Sequence, residues 1–129
     1  MQAVDTNVVV RLVTNDDVRQ AKRAAALFAS SEIYLPLTVL LETEWVLRYS
    51  YGLAPDAILR ALRGVVGLPG VTVRDSAEVH RALELFEKGM DFADALHVST
   101  SDRAGGFATF DAKLLMRAKA AGVTGVIAL

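Results

Sequence analysis

Ala3-Val4-Asp5-Thr6-Asn7-Val8-Val9-Val10-Arg11-Leu12 decides the fold class. A short apolar run stops at an acid, and Thr6 or Asn7 then stands where a helix cap belongs. The expected reading is a strand over Ala3–Asp5, then a helix through Leu12 with Val8, Val9 and Leu12 toward the core. The same unit recurs along the chain. Ile33-Tyr34-Leu35 is a second strand, cut off by Pro36. Val71-Thr72-Val73, Phe107-Ala108-Thr109 and Val126-Ile127-Ala128 complete the set.

Between these strands lie amphipathic stretches. A helix is expected from about Asp17 to Ala29, with an acidic start that suits its N-terminus. Thr38 is the expected cap of a helix through Tyr51, with Gly52 as its stop. Pro55 opens the next helix. Ser76 is the expected cap of one ending at Gly89, Phe92–Asp102 is read as helical, and Ala112–Ala121 is the last. Short apolar strands alternating with such helices imply an α/β fold: a parallel sheet covered on both faces, with ligands gathering at the carboxyl ends of the strands.

Composition narrows the function. The 129 residues carry 14 Lys and Arg against 15 Asp and Glu, a net charge of −1, which excludes a generic nucleic-acid coat. The absence of Cys excludes a disulfide framework, a Cys-based zinc site and thiol catalysis. Counted with Gly and without Tyr, the apolar share is about 57%, against roughly 45–50% for an average chain. That excludes disorder and suggests apolar surface left for a partner. Met1–Val13 contains Asp5 and has no basic start, so no secretory signal is expected. The strongly apolar run Leu35–Leu41 is too short to cross a membrane. One cytoplasmic domain over residues 1–129, with no membrane association, is the expectation.

Asp5 ends the first strand and Asp111 follows the fourth by two residues. Either position also suits a plain helix cap. Asp91 and Asp94 stand three apart in the first turn of one helix, so they share a face, and their repulsion is of the kind a cation relieves. Glu42 has Thr38, Val39, Trp45 and Val46 as helical neighbours, a mostly apolar face. Glu44 is flanked by Leu40, Leu41 and Leu47, and periodicity does not choose between the two. Carboxylates converging at one strand edge, without a Cys or His cluster, point to hard divalent cations.

Four blocks carry a resemblance: Val4-Asp5-Thr6-Asn7-Val8, Leu40-Leu41-Glu42-Thr43-Glu44-Trp45-Val46-Leu47, Asp91-Phe92-Ala93-Asp94-Ala95-Leu96 and Ala108-Thr109-Phe110-Asp111. In order and spacing they resemble the signature blocks of PIN-domain ribonucleases, in particular the VapC-type toxins of toxin–antitoxin pairs. The resemblance implies a single PIN domain over 1–129, a three-layer α/β/α sandwich around a short, mostly parallel central sheet. It implies that Asp5, Glu42, Asp94 and Asp111 are the catalytic, metal-holding acids, which favours Glu42 over Glu44, with Asp91 auxiliary. Asn7 and Thr109 resemble residues that orient the first and last carboxylates, and Thr6 either does the same or caps the helix.

The implied activity is Mg2+- or Mn2+-dependent hydrolysis of single-stranded or loop RNA by two metal ions, leaving 5′-phosphate and 3′-hydroxyl ends. The implied partners are a VapB-type antitoxin, whose segment lies in a groove between the first helices, and a second copy of the chain in a homodimer. An RNA-processing nuclease, or a non-catalytic PIN module that only binds, are the alternatives. A receiver or haloacid-type phosphatase fits poorly, because Val4 and Thr6 flank Asp5 and Asn7 stands where a second Asp is needed. No Gly-rich turn follows the first strand, as a dinucleotide site requires.

Arg11, one turn past Asn7, is a possible RNA contact. Arg19, Lys22 and Arg23, and Lys113 and Arg117, read as solvated helix faces. His97 reads as a partly buried structural residue, His80 as a surface residue, and Trp45 and Tyr49 as core or groove rather than a base-stacking surface. With the four acids in one metal pocket, the remainder holds 14 bases against 11 acids. The near-neutral total then averages an acidic site and a mildly basic exterior.

Overall fold

Every strand of this protein is two or three residues long, so its architecture rests on how the helices between them are started and stopped. The computed structural model describes all 129 residues. They divide into two units, Met1–Arg74 and Asp75–Leu129, and each is described in turn.

The first unit holds β1 (Gln2–Ala3), α1 (Thr6–Thr14), α2 (Val18–Ser30), β2 (Ile33–Leu35), α3 (Leu37–Tyr49), α4 (Pro55–Val66) and β3 (Val71–Val73). Its sheet runs β1-β2-β3, all parallel, with Gln2 opposite Ile33 and Ile33 opposite Val71. Ile33 and Leu35 of the central strand are fully buried, as are Val9 and Val10 of α1, Leu40 and Leu47 of α3, and Ile58 and Leu62 of α4. The parallel pairing and the bounds of β2 and β3 agree with the sequence reading.

Several local expectations are corrected here. The first strand ends at Ala3, and Asp5, not Thr6 or Asn7, caps α1: its carboxylate accepts the Thr6 N–H at 2.7 Å. Val10 is buried beside Val9, whereas Val8 and Leu12 are only half-buried. Thr38 is not a cap either. Pro36 already holds the extended backbone a cap needs, and its carbonyl accepts the N–H groups of Val39 and Leu40, both at 3.0 Å. At the other end of α1, Asn15 takes the left-handed conformation (φ 54°) and returns its N–H to the Arg11 carbonyl, a helix stop that Asn tolerates.

The second unit holds α5 (Ser76–Glu87), α6 (Phe92–Ser99), a 3-10 turn (Asp102–Ala104), β4 (Phe107–Thr109), α7 (Ala112–Ala120) and β5 (Val126–Ala128). The strands β4 and β5 pair in parallel, Phe107 opposite Val126. Phe86 and Phe92 meet edge to face at 5.6 Å between centroids, a favoured aromatic geometry. Asp75 rather than Ser76 is the cap residue of α5. The expected helix through Asp102 stops at Ser99. The hydroxyls of Thr100 and Ser101 fold back onto the carbonyls of Leu96 and His97, at 2.7 and 2.6 Å. That local bonding competes with further helix.

No helix is long and apolar enough to cross a membrane.

Candidate active site

In the first unit, Asp5 and Glu42 come to a common neighbour, Thr6. Asp5 is exposed at the start of α1, and its Oδ1 is taken by the Thr6 N–H. Thr6 itself is buried, and its Oγ1 donates to Glu42 Oε1 at 2.5 Å. A residue in the first turn of α1 thus orients a carboxylate projecting from the middle of α3. Thr6 is not the cap of α1, and its hydroxyl bonds Glu42 rather than the first or last of the acids.

Glu42 and Glu44 prove to have opposite environments. Glu42 is exposed and not on a buried face. Glu44 is 1% exposed and forms an ion pair with Arg48 one turn along α3, at 2.9 Å from Nε and 3.1 Å from Nη2. The buried acid of this helix is a partnered structural one.

Asn7 is exposed and lines a groove between α1 and α2 instead of bonding Asp5. The groove has a volume of about 460 Å³ and is bordered also by Val8, Arg11, Arg23 and Leu27. Arg11 is not an open phosphate contact. Its guanidinium binds Gln20 at 2.7 Å, Tyr51 Oη at 3.0 Å and Asp16 at 3.2 Å. Tyr51 in turn donates to Asp16 at 2.6 Å. Asp16 is held below its ordinary carboxylate range by that Tyr51 bond first, with Thr14 and Arg11 adding to it against a burial effect.

In the second unit the acids sit at helix starts. Asp91 caps α6, accepting the Asp94 N–H at 3.1 Å, and Asp111 caps α7, accepting from Lys113 at 2.9 Å and Leu114 at 3.1 Å through a single oxygen, Oδ1. The Asp111 cap uses one carboxylate oxygen, so capping by itself leaves room for a second role there. Asp94 is half-buried, and its carboxyl is raised above its ordinary value by burial first, then by Asp91 and Asp111; His97 and Arg117 act the other way. Thr109 does not bond the Asp111 carboxylate. Its Oγ1 accepts the Asp111 backbone N–H at 2.9 Å, which fixes the turn rather than the acid. His97 is exposed, contrary to the expected partly buried position. His80 is on the surface as expected, bonded to the Ser76 carbonyl at 2.7 Å.

The donor chemistry fits a hard cation. All the acids named offer carboxylate oxygens, the type Mg2+ and Mn2+ prefer. No three Asp, Glu or His side chains are gathered as a ready-made cation cage, so water and a substrate phosphate would have to complete any coordination, as is usual for Mg2+.

Two aromatic features are exposed, and the first departs from the sequence reading. Trp45 and Tyr49 lie on the outside of α3, rings 4.9 Å apart, with Arg48 stacked on Tyr49; they are not core. Phe110, between Thr109 and Asp111, is 84% exposed.

A family model of the PIN domain matches residues 3–120. None of the curated proteins matches this chain. Among solved structures, the chain is similar to the Mycobacterium tuberculosis toxin VapC20, which cleaves the sarcin–ricin loop. The two share 24% identity over 97% of this chain and 98% of that one, with a TM-score of 0.45.

Proposed function

This chain belongs to the PIN domain family, and from that membership we propose that it is a divalent-cation-dependent endoribonuclease, the toxin of a VapBC-type toxin–antitoxin pair. The observation that carries the reading is the placing of acids at the helix starts of the second unit: Asp91 and Asp111 are fixed as caps of α6 and α7, and Asp94 stands half-buried in the first turn of α6. The Asp94 carboxyl is raised by burial first and then by Asp91 and Asp111, and a cation bound by these oxygens would favour its ionised form. The family match runs through both units, which supports reading residues 1–129 as a single PIN domain.

The proposed metal-holding acids are Asp5 and Glu42 on the first unit and Asp94 and Asp111 on the second, with Asp91 auxiliary. Bound Mg2+ or Mn2+ supplies Lewis acidity and charge neutralisation for the attack of water on a phosphodiester. The chain's own contribution is to hold oxygen donors still. Backbone N–H groups fix Asp5, Asp91 and Asp111 as caps, and Thr6 fixes Glu42. Water adds to phosphorus and the 3′ oxygen leaves with a proton, giving 5′-phosphate and 3′-hydroxyl ends. The apolar, partly basic groove between α1 and α2 supports the proposed docking of an antitoxin segment. A homodimer and a cytoplasmic location belong to the same reading.

The test is cleavage of end-labelled single-stranded RNA by purified protein, with Mg2+ and with chelator, beside Asp5→Asn and Asp94→Asn. Mg2+-dependent cleavage that both variants lose, with ends ligatable as 5′-phosphates, is the expected result. Undiminished cleavage by both variants, or unchanged cleavage in chelator, overturns the assignment.

A further inference from the structure

We propose that Phe110 and the α7 face next to it receive an unpaired nucleobase and the phosphates flanking it, immediately beside Asp111. The inference rests on the nuclease reading and adds how the RNA is gripped.

Phe110 is 84% exposed, and Met116, Ile127 and Leu129 are also exposed on this unit. Phe110, Met116 and Leu129 border an open depression of about 530 Å³, together with Thr109 and Lys119. Burying Phe110 would have been favourable for folding alone, so its exposure calls for an external occupant. Charge selects that occupant. α7 runs Ala112-Lys113-Leu114-Leu115-Met116-Arg117-Ala118-Lys119-Ala120, three cations and no acid, and all three cations are exposed. Of the three, Lys119 borders the depression with Phe110, and an exposed aromatic ring with a cation at hand suits single-stranded nucleic acid, the ring stacking a base and the cation meeting the backbone.

Position adds a third argument. Phe110 and Asp111 are consecutive, so their Cα atoms are about 3.8 Å apart. The Thr109 Oγ1 bond to the Asp111 N–H spans Phe110, and the Asp111 carboxylate is pinned by two N–H groups of α7. Ring and carboxylate thus come from one fixed turn. A base stacked on Phe110 places its own phosphate next to the acid. An apolar protein partner, such as a second copy of this chain pairing along β5, would gain nothing from Lys119 at the rim of the depression.

The experiment uses the whole chain and separates binding from chemistry. In an Asp94→Asn background, fluorescence anisotropy measures binding of a labelled single-stranded RNA carrying 2-aminopurine, and of the matching duplex. Phe110→Ala is expected to weaken single-strand binding about tenfold, within the range for loss of one base–aromatic stack, and to abolish the 2-aminopurine quenching. Phe110→Trp restores both. Lys119→Ala lowers the slope of log affinity against log salt by about 0.7, one phosphate's share on a single strand. In otherwise wild-type protein, Phe110→Ala raises KM and leaves kcat nearly unchanged.

Equal single-strand binding and quenching by Phe110→Ala, in protein whose wild-type form cleaves RNA, overturns this inference alone. A wild-type chain that cleaves no RNA overturns the nuclease reading beneath it. A fall in molar mass on Phe110→Ala, by light scattering, identifies the face as a contact between copies and also overturns the inference.

Discussion

Thr6 Oγ1 donates a hydrogen bond to Glu42 Oε1, joining the first turn of α1 to the middle of α3 across 36 residues of sequence. Thr6 is buried and Glu42 exposed, so the contact anchors a carboxylate otherwise free to sample several rotamers. Next to Thr6 stands Asp5, held by the same residue's N–H. One threonine therefore orients both proposed acids of the first unit, by backbone and by hydroxyl.

Removing only that hydroxyl tests its part. Thr6→Val keeps the volume and the helix start but leaves Glu42 unoriented. Loss of a partner that orients a metal ligand lowers metal affinity or activity by about 10–100-fold. The expected result is a rise in the Mg2+ concentration giving half-maximal cleavage, recovered by Thr6→Ser. An unchanged Mg2+ dependence in Thr6→Val removes Thr6 from the positioning role.

Asp94 links function to pH and stability. Its carboxyl is raised by burial first, then by Asp91 and Asp111. The folded protein therefore favours the protonated form. That contribution to stability is fully present below the unfolded carboxylate pKa and is lost as pH rises through the raised folded value. At neutral pH the ionised Asp94 opposes folding. Asp94→Asn is expected to raise the melting temperature at pH 7 while abolishing cleavage, and to narrow the difference between the two proteins as pH falls toward 4. Mg2+ held at the proposed acids is expected to stabilise the wild type, by about 2.7 kcal/mol at 100 times its Kd, and the variant much less. Thermal melts at several pH values, with and without Mg2+, check all three statements.

Asp16 has the opposite sign. Tyr51 first, then Thr14 and Arg11, hold its carboxyl below the usual range. Its contribution to stability is present above the unfolded value and is lost as pH falls through the lowered one. Tyr51→Phe removes the largest cause, so the variant should lose stability relative to wild type at neutral pH and match it in strong acid. Cleavage measured at a temperature where both are folded is expected to be unchanged, because the Arg11–Asp16–Tyr51 cluster braces α1, α2 and the end of α3 and contains none of the proposed acids.

What could be read in advance was local. β2 through β5 have their expected bounds because punctuating residues enclose them, Pro36 after Leu35 and Gly70 before Val71 among them. Acids were visible at strand-to-helix junctions because a parallel α/β chain turns there. Cap identities slipped by one or two residues, since Asp5, Pro36 and Asp75 each satisfied the helix start before the expected Thr or Ser was reached. The non-local contacts were not legible. Nothing near Arg11 announces Tyr51, 40 residues on, and nothing near Glu42 announces Thr6. Phe110 was visible as a letter, but its exposure depends on the turn fixed by Thr109.

Glu44 and Arg48 give the sharpest contrast with Glu42. Two residues apart in one helix, the two glutamates point into different media: Glu44 is almost wholly shielded from water beside Arg48, and Glu42 faces solvent. Removing the cation takes an ion-pair partner from a buried charge, a loss on the order of 3 kcal/mol where burial is nearly complete. Arg48→Met should therefore lower stability by that order in urea melts at neutral pH. Glu42→Gln removes no buried partner and should leave stability within about 0.5 kcal/mol, as surface changes do, while cleavage is lost. Under conditions where Arg48→Met is folded, it should keep its Mg2+ dependence. A stable Arg48→Met protein, or a Glu42→Gln variant that still cleaves, would reverse the assignment of the two acids.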